Sequence, residues 1–414
     1  MDVPVSVAIA KHTLLSGGLI LAIGTAIGIV AEKLRIPDIS LFLLVGMLIG
    51  PQALGLIDIK ANSALYQILL LFGASYILFD GGASLRLDVL KRVWITLVAI
   101  ATLGVLITAA ITTVAAHFVL DAPWIVAALL GAAIASTDPA TLIPIFRQVH
   151  VRDRVAQMVM SESAFNDATG AIVTFGVLGV AMGTGGFTLS ASLLDFFQQA
   201  LLGIGAGIAL GYLAALLIAH ERWGFLMEYA PLVTIMAVIG AYFAADGLGA
   251  SGFMAVFVFG IMLGNKDTFG FKKMSEREQQ RLDQYVTMTA FIMRLFIFIL
   301  LGAQVDFALM NRYLVPGIAV VVIFMAVARP AAVFTCALPD RRARWSMNEM
   351  LFMCWTRETG VIPAALAGIL LGVKAPGAPM IASVTFIAIL MTILIQAPTT
   401  RWLAARLSLL ETRK

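Results

Sequence analysis

The chain has 414 residues, 61% of them hydrophobic and only 13% charged, with a formal net charge of +4. That is about half the roughly 25% charged content of soluble domains, and with a mean hydropathy of +0.97 it excludes a soluble globular protein. Loop lysines and arginines account for the pI near 9.1 without a nucleic-acid partner.

Apolar runs recur at the length needed to cross a hydrocarbon core of about 30 Å. The expected fold is an all-α polytopic membrane protein, one membrane domain over residues 1–414, with about 13 transmembrane helices. Their approximate limits are 13–31, 39–50, 62–80, 93–116, 123–146, 155–182, 193–219, 229–246, 251–265, 286–304, 313–336, 347–372 and 379–403. Two of these spans are unusually short. The first follows Lys11 and His12 with no small-residue cleavage site after it, so it reads as a retained helix. Lys266 to Gln284, the long polar stretch, reads as a solvated connecting helix, and Cys336 and Cys354 read as buried small residues rather than a disulfide. About ten residues follow the last span, so no long C-terminal soluble domain is expected.

Of the 28 basic residues, 21 fall on one side of this arrangement, counting Arg401 at the end of the last span with the tail, 4 on the other and 3 inside spans. The positive-inside rule makes the richer side cytoplasmic. The expected topology has the N-terminus outside and the C-terminus in the cytoplasm, within the cell (inner) membrane.

An internal repeat runs through the chain. "STDPATLIPIF" from Ser136 aligns with "WTRETGVIPAA" from Trp355 at an offset of 219, "GMLIG" at Gly46 with "GIMLG" at Gly260 at 214, and "GASLRL" at Gly82 with "GAQVDF" at Gly302 at 220. Matched spans are always seven apart, and an odd difference reverses direction across the membrane. Two inverted-topology repeats are therefore expected, one over about 13–182 and one over about 229–403, with 193–219 as a linking helix.

Spans 5 and 12 carry the breaks. Pro139 removes a backbone donor and disfavours helix at Asp138, so span 5 is expected to unwind around 137–140, and Gly360 with Pro363 interrupts span 12. Unwound backbone at this depth must be buried in protein or line a wet cavity. Asp138 would offset half-helix N-termini there and a cation such as Arg357 the C-termini.

Span 6 contains "SESAFNDATG". Glu162 and Asn166 are four residues apart, as are Ser163 and Asp167, so the four share one polar stripe on a helix. A carboxylate in mid-membrane costs several kcal/mol and is by default functional. The deep acids Asp138, Glu162, Asp167 and Glu358 against Arg294, Arg329 and Arg357 leave one negative charge, room for one monovalent cation or one proton. Arginine does not deprotonate, so the carboxylates must carry the proton. Asp138, Asp167, Ser163 and carbonyls freed around Thr137 offer oxygen alone, which suits a hard cation such as Na⁺. The four histidines lie in loops or at span ends, and no phosphate-binding "GxxxxGK[ST]" stretch occurs, so an ion gradient must supply the energy.

"STDP", "ESAFND", "VARP" on span 11 and "TRETG" on span 12 together resemble the monovalent cation/proton antiporter superfamily, specifically its NhaP-like sodium/proton branch, over nearly the whole chain. The resemblance implies a thirteen-helix protomer in a homodimer, crossed discontinuous helices 5 and 12 within a six-helix core, and elevator-like movement of that core. It implies no cofactor beyond the transported ions. By position, Asp167 matches the ion-binding, proton-exchanging aspartate, with Asp138, Ser163 and the Thr137 carbonyl as further ligands. Glu162 matches an acid paired with an arginine on span 11, here Arg329, with Asn166 beside them. Arg357 matches a core arginine and Asp80 an acidic position near a funnel. Where many relatives have "RG", this chain has Arg357, Glu358 and Thr359. Electrogenic relatives carry "DD" where Asn166 and Asp167 stand, so electroneutral exchange of one Na⁺ (or Li⁺) for one H⁺ is expected, in a role in pH homeostasis.

Four alternatives stay open on the residues alone. They are a K⁺/H⁺ antiporter on the same scaffold, a passive cation channel, proton-coupled transport of an organic solute, and, weakest, an intramembrane hydrolase, which lacks a base near Ser163. The expected reading is not an enzyme.

Overall fold

Helix ends and burial follow from a few local signals. The computed structural model describes residues 5–34, 38–87, 93–137, 151–183, 189–220, 225–271 and 274–410. In chain order its helices are α1 (Val5–Leu34), α2 (Asp38–Ile49), α3 (Ala64–Ala83), α4 (Trp94–Leu120), α5 (Trp124–Ala133), α6 (Asp153–Ala181), α7 (Leu189–Ala219), α8 (Ala230–Asp246), α9 (Gly252–Gly264), α10 (Glu276–Ala303), α11 (Phe307–Ala337), α12 (Met347–Trp355), α13 (Val361–Gly372) and α14, which runs from Ala378–Met391 through a π-helical turn into Ala397–Arg406. Among the described residues, nine helices are long and apolar enough to cross a membrane, and α2, α5, α9 and α13 are shorter apolar helices. Each of the thirteen expected spans has a helix, with span 12 divided into α12 and α13, and with residues 138–146 of span 5 outside the described residues.

Serine sets several starts. Ser63 and Ser251 cap α3 and α9 through their side chains, and Ser275 with Glu278 and Ser346 with Glu349 form capping boxes on α10 and α12. The capping box corrects one expectation. The polar stretch from Lys266 is not a solvated connecting helix: it forms a 3₁₀ turn over Lys266–Phe269, and from Glu276 it is the opening of α10. Lys266 is buried, with Nζ donating to Gln279 Oε1. Burial pulls its ammonium below the usual lysine range, against the opposing pull of Asp267 and Asp283.

Burial orders the helices. Residues 252–263 of α9, 361–370 of α13 and 378–389 of α14 are buried almost without interruption, the mark of helices apolar all round that lie inside a bundle. In α1 and α8 only 22% of the apolar window is buried, leaving most of their apolar surface to lipid.

Two close helix crossings tie the bundle together. At the first, Gly46 of α2 lies on the Ile299 carbonyl of α10, and Gly302 of α10 lies on the Leu43 carbonyl of α2. At the second, Gly260 of α9 lies on the Phe79 carbonyl of α3, and Gly82 of α3 lies on the Phe257 carbonyl of α9. A Cβ at any of the four would overlap backbone, so small residues set the approach of these helices. The crossings are equivalent under the sequence offsets: 214 carries Gly46 to Gly260 and Leu43 to Phe257, and 220 carries Phe79 to Ile299 and Gly82 to Gly302.

Candidate ion site

Thr137 is the anchor of the site. The helix α5 ends at Ala133, earlier than the expected unwinding at 137–140, because the last residues turn off their own ladder: Ala135 N–H donates to Ala132 O, and Thr137 N–H donates to Asn166 Oδ1 at 3.0 Å on α6. Asn166 Nδ2 returns a bond to Thr137 Oγ1 at 2.7 Å, and Ser163 Oγ donates to the Thr137 carbonyl. One residue of α5's unwound end is thereby held at three points by one face of α6. Asp167 stands one turn beyond Ser163 on that face and is 6% exposed. Pro139 and Asp138 lie outside the described residues.

Glu162, on the same stretch of α6, does not join this cluster. Arg329 of α11 grips it with both terminal guanidinium nitrogens, Nη1 to Oε1 and Nη2 to Oε2 at 2.8 Å, and Arg329 Nε donates to the Met353 carbonyl of α12 at 3.0 Å. Both side chains are almost fully buried. A bidentate fork of this kind is the geometry in which a buried pair comes nearest to offsetting its desolvation.

The second break spans residues 356–360, all buried, between α12 and α13. Its backbone is non-helical, with Thr356 at φ −78°, ψ 77° and Gly360 at φ −140°, ψ −133°. Pro363 is not at the break. It sits in the first turn of α13, where a missing N–H costs no intrahelical bond. Thr359 N–H donates to Thr392 Oγ1 of α14 at 3.0 Å. Arg357 Nη2 donates to the Ala135 carbonyl, one of the acceptors α5 leaves free at its C-terminal end, and the guanidinium lies 4.2 Å over the Phe324 ring. The two breaks therefore meet through Arg357, and Glu358 beside it is 1% exposed.

The break between α12 and α13 meets the end of α5 beside a buried acid stripe, and the comparisons name the family. The sequence profile of the transmembrane sodium/hydrogen exchanger family matches residues 18–406. The chain belongs to that family. Na(+)/H(+) antiporter 1 of Methanocaldococcus jannaschii is 34% identical over 359 residues, covering 84% of this chain and 81% of the relative. K(+)/H(+) antiporter NhaP of Alkalimonas amylolytica is 28% identical, covering 94% of this chain and 67% of that one. The solved structure of the sodium proton antiporter MjNhaP1 from Methanocaldococcus jannaschii at pH 8 superposes with a TM-score of 0.82 at 31% identity, covering 96% of this chain and 99% of the other.

In this exchanger the remaining charged positions lie apart from the cluster. Asp80 is half-buried near the end of α3, with Arg294 and Asp283 as the charges that act on it. Among the described residues no group of three His, Cys, Asp or Glu is placed to hold a metal ion, and the oxygens gathered at Thr137, Ser163 and Asp167 are of the kind a hard monovalent cation takes. Cys336 and Cys354 are free thiols.

Several features had no clear sequence signal. Met353 and Ala135 act through their carbonyls alone. π-helical turns interrupt α4 at Ile100–Gly104, α11 at Phe324–Ala328 and α14 at Thr392–Gln396. Such turns gather at functional sites, and here one presents Phe324 to Arg357 while another presents Thr392 to Thr359. The second cluster lies at the α11–α12 turn. Asp340 accepts from Thr96 Oγ1 at 2.5 Å, Thr96 N–H at 3.2 Å, and Arg342 and Ala343 N–H at 3.0 Å each. Burial raises this carboxylate, and the four donors more than offset it, holding it below the usual range.

Proposed function

We propose that the protein is a secondary active antiporter that exchanges Na⁺ (or Li⁺) for H⁺ electroneutrally, one for one, by alternating access, with cation and proton competing at Asp167. The observation that carries this reading is the fixed set of Ser163, Asn166 and the Thr137 carbonyl beside buried Asp167, with Glu162 already neutralised by Arg329. Among the described residues of the span 6 stripe, the span 12 break and the arginine on α11, Glu162, Asp167 and Glu358 against Arg329 and Arg357 leave one negative charge, which one monovalent cation or one proton cancels. Asp138 lies outside that sum and is assigned as a further cation ligand with Thr137, Ser163 and Asp167. An uncancelled charge crosses the membrane interior only at high cost, so the core moves when loaded. Asn166 is an amide and exchanges no proton, which supports the one-for-one stoichiometry.

The equivalent glycine crossings support two inverted repeats around a midplane site, the frame in which the core moves like an elevator. The protein is assigned to the cell membrane as a homodimer, N-terminus outside and C-terminus in the cytoplasm, serving pH homeostasis, with no cofactor beyond the transported ions. Relatives named K(+)/H(+) antiporters, 28 to 30% identical over 94 to 96% of the chain, favour K⁺ as the second reading. The deciding test is proton movement in proteoliposomes under a pH gradient on addition of Na⁺, Li⁺ or K⁺, with Asp167→Asn beside wild type. Cation-dependent collapse by wild type alone supports antiport and ranks the ions. A silent wild type, or an equally active mutant, overturns it.

A further inference from the structure

The span 12 break is held by α14. Thr359 N–H donates to Thr392 Oγ1 at 3.0 Å, and Trp355 Nε1, at the end of α12, donates to Thr399 Oγ1 at 2.8 Å. Each threonine hydroxyl gives its own hydrogen back to α14, Thr392 to the Ala388 carbonyl at 2.7 Å and Thr399 to the Ile395 carbonyl at 2.6 Å. Their lone pairs are thus turned to the break, which is fastened to one helix near both of its ends.

Local sequence explains the spacing. Pro398 has no N–H to return to the Leu394 carbonyl four residues back, and its ring crowds that carbonyl, so the helical ladder loosens over Thr392–Gln396 into the π-helical turn. Thr392 stands at the start of this turn and Thr399 beyond its end, seven residues on. Thr385, seven residues before Thr392, is equally buried, and its hydroxyl has no hydrogen-bond partner among the described residues. Burial on α14 therefore does not by itself give a threonine a contact with the break.

The construction repeats that of the ion site. Thr137 lies four residues past Ala133, the end of α5, and gives its N–H to Asn166 of α6. Thr359 lies four residues past Trp355, the end of α12, and gives its N–H to Thr392 of α14. In each repeat the unwound backbone is tied at the equivalent residue to the full helix of the next span. The first tie has further support from Asn166 Nδ2 and Ser163 Oγ, whereas Thr359 Oγ1 is buried with no hydrogen-bond partner among the described residues, so at Thr359 the acceptor on Thr392 fixes the backbone. Two residues back, Arg357 donates to the Ala135 carbonyl, itself two residues before Thr137. A shift at Thr359 reaches the Thr137 carbonyl through that bond.

We propose that Thr392 is a positioning residue for ion exchange: by holding the Thr359 N–H it sets where Arg357 stands against the end of α5, and so keeps the Thr137 carbonyl in place for the cation. The proposal deepens the antiport reading and rests on it. Thr392→Val tests it, since valine has nearly the same shape and lacks the acceptor. A site that holds its binding geometry only part of the time loses apparent affinity by that fraction. The KM for Na⁺ in proteoliposomes is expected to rise about three- to tenfold, the factor of one net hydrogen bond, with the maximal rate close to wild type. Thr392→Ser, which keeps the hydroxyl, restores the KM, and Thr385→Val leaves it unchanged. An unchanged KM in Thr392→Val, an equal rise in Thr385→Val, a rise that serine does not restore, or a fall in maximal rate at constant KM each overturns the proposal. Hydrogen exchange gives a second readout that needs no transport. The backbone amides of residues 356–360 are expected to exchange about tenfold faster in Thr392→Val than in wild type, Thr392→Ser or Thr385→Val, and equal rates overturn the proposal. Should Thr392→Val not fold, Thr392→Cys, whose sulfur is a weak acceptor, takes its place in both experiments. A wild type silent in proteoliposomes removes the antiport reading, while hydrogen exchange still decides whether Thr392 holds the break.

Discussion

Arg329 and Glu162, 167 residues apart in the chain, form a bidentate pair that also reaches the Met353 carbonyl, so three helices share one guanidinium. The pair takes one acid of the span 6 stripe out of the ion chemistry. Removing either partner leaves a buried charge alone, which costs about 3–5 kcal/mol. Glu162→Gln and Arg329→Met are each expected to lower the thermal unfolding midpoint in detergent sharply, whereas Glu162→Gln combined with Arg329→Met recovers most of the loss. Single mutants as stable as wild type would show that the pair is not formed.

Asn166 holds Thr137 by two hydrogen bonds, one to each side of the residue. Asn166→Ala removes both and leaves Thr137 tied to α6 through its carbonyl alone, which accepts from Ser163 Oγ. The expected result is at least a tenfold loss of cation-dependent exchange, about 1.4 kcal/mol, within the range of losing one or two buried hydrogen bonds. The check is the initial rate in proteoliposomes at equal protein. Asn166→Asp keeps the acceptor and adds a charge, and imposing a membrane potential at zero pH gradient should then alter the exchange rate, an effect not expected in wild type.

Gly82 and Gly260 face each other's helices across the α3–α9 crossing, and a Cβ on either meets a backbone carbonyl. Gly82→Ala and Gly260→Ala are expected to destabilise by about 1–3 kcal/mol each through overpacking. Gly17→Ala in α1, where nothing lies within 4 Å, should instead be neutral or stabilising by up to about 1 kcal/mol from helix propensity. Thermal unfolding of the three variants side by side checks this, and equal midpoints would refute the close crossing.

Asp340 carries the pH prediction. Its folded-state pKa lies below the ordinary carboxylate value, so its stabilisation is complete above the unfolded pKa and disappears as pH falls through the folded one. Asp340→Asn places an amide donor against the Thr96 donors. It is expected to lower stability by about 1–3 kcal/mol at neutral pH, with the gap to wild type closing on acidification below about pH 4. A gap that widens in acid would reverse the assignment.

Much of the fold was legible in the chain. Runs of apolar residues fix span number because bilayer thickness fixes helix length, and all thirteen segments are found. The spacing of Glu162, Ser163, Asn166 and Asp167 fixes a common helix face because the α-helical period is local geometry. Less was legible at boundaries. The polar start of α10 was hidden because its capping box and the buried Lys266 depend on neighbours the sequence does not name. The early end of α5 was hidden because Asn166, on another helix, takes the Thr137 N–H.

The sequence by itself determined a membrane-spanning helical chain, the divided span 12, the matched glycines and the acid stripe and arginines of the buried network. These are properties of hydropathy, proline and residue period, each set within a few turns of chain. Only the tertiary structure decided which groups meet: Arg329 on Glu162, Arg357 on a helix-end carbonyl and the Phe324 ring, Thr137 locked by Asn166 and Ser163, and Thr392 and Thr399 of α14 on the two ends of the span 12 break. Such pairings depend on how helices cross, and crossing is fixed by close backbone approach at glycines and by π-helical turns that re-aim side chains.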